Sequence, residues 1–236
     1  MFFEQYAENM ATLILDGSTV FLLGGVFFAT GIMRKRGRDD DKLFFILLFI
    51  NMVVALSDIA TYLADGKSFA GARYINMGGV SVFYMAMVLL GMVWLHYCIV
   101  RFQSRFSRIW EKHKLIFVPG LIMEALLLIN IFTGFIFSVD INNVYHYGNL
   151  FWLMYLVMAL YVFTGFFLIL GYRPFDDRKV LIPVWLYLLP LVAGLIVPFV
   201  LGGISLTSIG CAMSITFTHL GSASEIINSD KDQLVS

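Results

Sequence analysis

Charge is scarce in this chain. Sixteen basic and sixteen acidic side chains make up 14% of its 236 residues, while 60% are hydrophobic. A soluble domain of this length carries about a quarter charged residues, so a soluble globular class is excluded. Cysteine is scarcer still: Cys98 and Cys211 both lie inside apolar runs, which rules out a disulfide framework or a Cys-x-x-Cys metal site. Both read as small buried hydrophobes. No Asn-x-Ser/Thr acceptor occurs, and no basic residue precedes the first apolar run, where MFFEQYAENM carries only Glu4 and Glu8. A cleaved signal peptide needs a positive n-region, so the first apolar segment is expected to stay in the mature protein. No His-Glu-x-x-His, Gly-x-Ser-x-Gly or phosphate-binding glycine loop is present. No lysine lies in the last apolar segment, which excludes a retinal Schiff base there. The chain reads as a non-enzyme, with no cofactor, no metal and no nucleic-acid partner.

What is abundant is long apolar sequence. A helix needs about 20 residues to cross a hydrocarbon core. Seven segments meet that length, at residues 11–33, 43–64, 78–100, 115–138, 151–171, 180–201 and 204–220, with the tightest connection at Gly202-Gly203. The basic residues between them alternate in number. Arg34, Lys35, Arg36, Arg38 and Lys42 form one group, and Arg101, Arg105, Arg108, Lys112 and Lys114 a second. Arg173, Arg178 and Lys179 form a third, and Lys231 lies in the tail. The opposite side has only Lys67 and Arg73. Positively charged loops stay in the cytoplasm, so the expected topology has the N-terminus outside and the C-terminus inside. The expected fold is therefore an all-α integral membrane seven-helix bundle spanning residues 1–221 of the cell (plasma) membrane, multi-pass. A cytoplasmic tail, 222–236, follows. No internal repeat pairs the segments into halves.

Polar residues inside these spans are the informative ones. The stretch NMVVALSDIATYLADG, residues 51–66, sets Asn51, Asp58, Tyr62 and Asp65 at intervals of seven, four and three. At ~100° per residue they share one helical face. Thr12, Asp16 and Thr19 make a matching stripe on the first helix. In the expected orientation Asp16 and Asp58 sit at one depth, some 7–10 Å below the outer surface at ~1.5 Å per residue. Glu124, in the fourth segment, lies nearer the midplane. A carboxyl in a membrane helix costs roughly 2.5–3.5 kcal/mol on insertion scales, which marks each as a functional candidate. The simpler alternative is that Asp58 holds helices together by hydrogen bonds. No lysine or arginine lies within a span to neutralise these acids, so each must be protonated, hydrogen-bonded, or satisfied by a bound cation or water. Arg73 is the one external guanidinium able to fold down toward them.

The stripes predict a site for a small ligand or proton near the outer leaflet, formed by Asp16, Asp58 and Tyr62, with Glu124 deeper. The loop 140–148 is rich in aromatic and hydrogen-bonding groups and leads into Phe151, Trp152 and Tyr155. Tyr145, His146 and Tyr147 are expected to cap the site, and Trp152 either joins them or anchors at the interface. His96, His113 and His219 have no second ligand at metal spacing and read as packing residues. Ser205, Thr207, Ser208, Ser214 and Thr216 read as close-packing, interhelical hydrogen-bonding groups. Pro183, Tyr187, Pro190, Gly194 and Pro198 share one face of the sixth segment. Interior prolines bend a helix, which suits either a lever or a static fit to neighbours.

Three stretches, LSDIATYLADG at 56–66, DINNVYHYGNLFWL at 140–153 and ISLTSIG at 204–210, resemble the seven-helix membrane input regions of bacterial signalling proteins. Such regions precede a diguanylate cyclase or histidine kinase output. Position 147 departs from the pattern: an arginine or similar residue often precedes that glycine, and Tyr147 stands here, which argues against an anion-binding role for the loop. The resemblance implies a receptor or sensor that passes an external or membrane-borne signal, by helix movement, to a cytoplasmic output domain or partner protein. In the tail, Ile227 and Leu234 lie seven apart, which fits either a signalling helix that starts there and joins two protomers as a homodimer or a frayed polar terminus. The alternative is a small proton-coupled transporter or carrier that uses Asp16, Asp58 and Glu124 along a path. A structural membrane scaffold is the third reading.

Overall fold

The computed structural model describes residues 2–33, 39–102, 114–171, 189–190, 192–194 and 206–217. Helix α1 spans Phe2–Met33, α2 Asp39–Ala64 and α3 Ala72–Phe102. A single 3-10 turn at Lys114–Phe117 leads into α4, Val118–Thr133. Two short strands follow, β1 at Phe137–Val139 and β2 at Tyr145–Tyr147, then α5 at Phe151–Gly171 and a shorter apolar helix, α6, at Thr207–Phe217. Among the described residues five helices are long and apolar enough to cross a membrane: Met10–Thr30, Lys42–Ala64, Ala72–Val100, Lys114–Thr133 and Phe151–Leu168. They coincide with the first five expected segments. Most of the sixth segment, including Pro183, Tyr187 and Pro198, lies outside the described residues. So do His113, Ser205, His219, the tail 222–236, and Arg34, Arg105, Arg108, Lys112, Arg173, Arg178, Lys179 and Lys231.

Helix α3 is central. It pairs most extensively with α2 and also packs on α4 and α5, while α1 lies against α2. The core runs through Leu47, Leu48 and Val54 of α2, Val88, Leu95 and Cys98 of α3, Met123 and Leu127 of α4, and Tyr161 of α5. The outward faces are as apolar as the core, with Phe21, Phe28, Phe132 and Phe167 all well exposed. Hydrocarbon solvates such side chains, so an all-round apolar helix is stable there. Small residues let the helices close up: a Cβ on Gly79 of α3 would sit 2.7 Å from Thr61 Oγ1 and 3.2 Å from Ser57 O of α2. The start of α4 has no side-chain cap of its own. Tyr161 of α5 takes that place, its Oη accepting from Gly120 N at 2.7 Å.

The structure departs from the expected all-α pattern in one place. The fourth segment was expected to continue to residue 138, because GFIFS is apolar, yet α4 ends at Thr133. Gly134 adopts φ 68°, a left-handed conformation that glycine takes without a Cβ penalty, and its N–H bonds Asn130 O at 2.9 Å. The buried Asn130 side chain then redirects the chain. Its Oδ1 accepts from Ile136 N at 2.6 Å, and its Nδ2 donates to Phe137 O at 2.9 Å. Beyond this bend, β1 and β2 pair antiparallel with Phe137 opposite Tyr147, Ser138 opposite His146 and Val139 opposite Tyr145. The third helix also starts six residues earlier than expected, at Ala72, directly after Gly71 with φ 88°.

Candidate functional site

The two polar stripes meet. Thr12, Asp16 and Thr19 of α1 have no exposed surface, and Asn51 and Asp58 of α2 are buried as well. The Asp16 and Asp58 carboxyls lie within hydrogen-bonding range of each other. One turn away, the Tyr62 hydroxyl reaches Thr12. Pairing 12 with 62 and 16 with 58 is the register of two antiparallel helices whose polar faces are turned together.

A third helix completes the cluster. Ser208 of α6 donates its hydroxyl to Asp16 Oδ1, and the Ser208 carbonyl accepts from Asn51 Nδ2 at 3.3 Å. Ser208 was expected to bond between helices, but its partner was not legible in the sequence, since the two residues lie 192 positions apart. Neighbouring contacts hold α6 in place. Thr207 Oγ1 donates to Gly194 O at 3.2 Å, and a Cβ on Gly210 would stand 2.5 Å from Pro190 O. Among the described residues, two buried acceptors of the cluster are left over. Asp16 Oδ2 makes no well-aligned hydrogen bond even with Asp58 nearby, and Asn51 Oδ1 has no partner among the described residues. Two ionised carboxylates at contact range repel strongly in a medium of low dielectric, so the pair requires a shared proton or a bound cation.

The hairpin caps the adjoining end of α2 and α3, and it is fastened by two asparagines, Asn76 and Asn143. Asn143, at φ 63°, is buried and donates from Nδ2 to Ala64 O at 2.6 Å and Lys67 O at 3.1 Å. Its carbonyl accepts from Gly66 N at 2.8 Å and from Asn76 Nδ2 at 3.0 Å. Asp65 belongs to this latch: its Oδ1 accepts from Asn76 Nδ2 at 2.9 Å and from Tyr145 N at 3.0 Å. Arg73 does not fold down to the acids; its guanidinium donates to Val139 O at 3.5 Å. At the tip, Asp140 Oδ1 accepts from Val144 N at 2.8 Å and Asn142 N at 2.9 Å. These bonds, the Val144 one foremost, and His146 beside it hold the Asp140 carboxyl below its usual pKa. Gly148 closes the hairpin because a Cβ there would collide with the Phe135 carbonyl.

Of the expected cap, Tyr145 alone turns inward. Its hydroxyl shares a 2.6 Å hydrogen bond with that of the buried Tyr84, and burial pushes the Tyr145 phenol pKa up. Tyr145, Tyr84, Phe137, Tyr147, Phe151 and Tyr155 form a continuous run of ring contacts, within electrostatic range of Tyr62. Tyr147 covers Phe151, with centroids 4.5 Å apart, but is 70% exposed. His146 is exposed and pairs with Asp140 at 3.3 Å. Trp152, 59% exposed, lies on the outward face of α5 and takes no part in the cluster. Glu124 is separate as well. It rides on α4, which packs on α3 and α5, and its buried Oε1 has no partner among the described residues. Cys98 and Cys211 are free and buried, as expected. No group of three or more His, Cys, Asp or Glu able to hold a metal occurs among the described residues.

No family model, curated protein or solved structure matches the chain.

Proposed function

We propose that this chain is a sensory module of the plasma membrane: a seven-helix bundle with its N-terminus outside and its C-terminus in the cytoplasm. It detects an external or membrane-borne signal at Asp16 and Asp58 and passes it, by movement of the last helices, to a cytoplasmic output domain or partner. The observation that carries this reading is the hydrogen bond from Ser208 to Asp16. It joins the acid pair of α1 and α2 to α6, the described helix nearest the C-terminus. A ligand or proton that changes the charge of the pair changes what Ser208 is bonded to, and so favours a different position of α6. The fourteen-to-two division of basic residues supports the orientation.

The test uses the full chain in sealed vesicles. Met213 is exposed on α6, and the native cysteines are buried, so Met213→Cys takes a spectroscopic label selectively. The label signal is expected to follow changes in external pH or ions, and Asp58→Asn is expected to abolish the response. A label that responds equally in Asp58→Asn sinks the proposal. An impermeant amine reagent should modify Lys67 from outside; protection of Lys67 would invert the topology.

The partnerless Oε1 of Glu124 favours a second reading, a proton-coupled carrier. Reproducible solute uptake by vesicles that is lost in Glu124→Gln would establish that reading over the sensor.

A further inference from the structure

We infer that the Asp16, Asp58, Asn51 and Ser208 cluster is a binding site for a monovalent alkali cation. This deepens the proposed function, resting on it for what binding does, while the binding itself can be measured independently.

The cluster has open valences. Ser208 already donates to Asp16 Oδ1, and Asn51 Nδ2 already donates to Ser208 O. The atoms left over, Asp16 Oδ2 and Asn51 Oδ1, are both acceptors, and both belong to side chains with no exposed surface. A proton shared between Asp16 and Asp58 would relieve their repulsion but leave Asn51 Oδ1 bare, because an amide oxygen does not take up a proton at ordinary pH. A cation seated between the two atoms would satisfy both at once. An unsatisfied buried polar atom costs about 1–3 kcal/mol, more when charged, so one ligand serving two such atoms is the economical solution.

The chemistry of these atoms selects the kind of ligand they accept. Two carboxylates, an amide oxygen and a hydroxyl form an all-oxygen set with neither sulfur nor imidazole, which suits a hard cation. Two carboxylates, with no third acid beside them among the described residues, balance a single positive charge and a shared proton better than the multi-carboxylate set a divalent ion prefers. Position agrees as well. Asn51 and Asp58 stand two turns apart on one face of α2, and the side chain between them on that face is the small, fully buried Ala55. Asp16 approaches from α1 and Ser208 from α6, so an ion held there touches three helices. Ion binding would thus set the position of α6 through Ser208.

The experiment uses the purified full chain in nanodiscs at constant ionic strength and pH, with sodium chloride exchanged for choline chloride. Sodium is expected to raise the melting temperature saturably, by roughly 3–6 °C at ten times its dissociation constant, where choline does nothing. Asn51→Ala and Asp16→Asn are each expected to remove the sodium-dependent shift. Direct binding of radioactive sodium to the wild-type chain provides a second reading that does not depend on variants folding. Equal melting curves in sodium and choline, or a sodium shift that survives in Asn51→Ala, overturns the proposal. If sodium has no effect while the label on α6 still follows pH through Asp58, the cation site falls and the sensory reading stands. If sodium binds while that label never responds, the site stands and the sensory reading falls.

Discussion

Ser208 and Asp16, 192 positions apart in the chain, are joined by a buried hydrogen bond. It ties the acid pair to α6, and it satisfies one of the two Asp16 carboxyl oxygens. Ser208→Ala leaves Asp16 Oδ1 without that donor in a site that already holds an unpartnered Oδ2. The expected loss is about 1–3 kcal/mol of stability, since a buried acceptor stripped of its donor bears its full desolvation cost. Ser208→Thr keeps the hydroxyl and is expected to recover most of it. Denaturant unfolding in matched detergent micelles checks the pair of variants. Equal loss in both would mean the site reports packing and not the hydrogen bond.

The hairpin depends on Asn143 in two separable ways. Its φ of 63° disfavours a side chain with a Cβ, although asparagine tolerates it. Its amide also closes the ends of α2 through Ala64 O and Lys67 O. Asn143→Ala removes both the tolerance and the bonds, whereas Asn143→Gly removes only the bonds. Alanine is therefore expected to be the worse substitution by about 1–2 kcal/mol, the cost of a left-handed non-glycine residue. Hydrogen exchange at the amides of Gly66 and Tyr145, which bond Asn143 O and Asp65 Oδ1, should accelerate in the same order. Identical rates in the two variants would show that backbone conformation is not what asparagine contributes.

Much of this architecture is legible in the sequence. The five long apolar helices stand out because long apolar runs admit few alternatives, and the meeting of Asp16 with Asp58 follows from two polar stripes of matched spacing. The end of α4 is not legible in the same way. Hydropathy continues through Phe135, Ile136 and Phe137, and what stops the helix is the Asn130 side chain acting together with Gly134. The roles of Asn76 and Asn143 are not legible for a related reason: each looks like an ordinary polar residue at a loop edge until its partners, 67 and 79 positions away, are brought to it. Asp65 continued the helical stripe by spacing, yet the hairpin claims it. Periodicity identifies the face a residue occupies and says nothing of which distant backbone will arrive there.

Asp140 gives the hairpin a pH dependence whose sign is fixed. The folded chain holds this carboxyl below its ordinary value of 3.8, through bonds that only the ionised group accepts well, those from Val144 N first and His146 and Asn142 N after it. A depressed acid contributes stability above its unfolded pKa and loses it as pH falls through the folded value. Hairpin order should therefore be constant above about pH 5 and decline below about pH 4. Asp140→Asn keeps an acceptor oxygen but cannot titrate, so its profile should be flat over that interval. Fluorescence of Trp152, five residues after the end of β2, offers a probe. A decline of equal size in Asp140→Asn would assign the effect to another group.

The facing carboxyls make a prediction about non-additivity. Substituting either Asp16 or Asp58 by asparagine removes the repulsion between them and supplies an amide donor to the one that remains. The second substitution then has nothing left to relieve. In sodium-free medium near neutral pH, each single variant is expected to match or exceed the parent in stability. The double variant should fall short of the sum of the two by about 1 kcal/mol, in the range seen for residues in direct contact. Glu124→Gln, on a helix packed elsewhere, serves as the control and should add to either within about 0.3–0.5 kcal/mol. If Asp16→Asn and Asp58→Asn add as independently as Glu124→Gln does, the two carboxyls do not sense each other, and neither a shared proton nor a shared cation can lie between them.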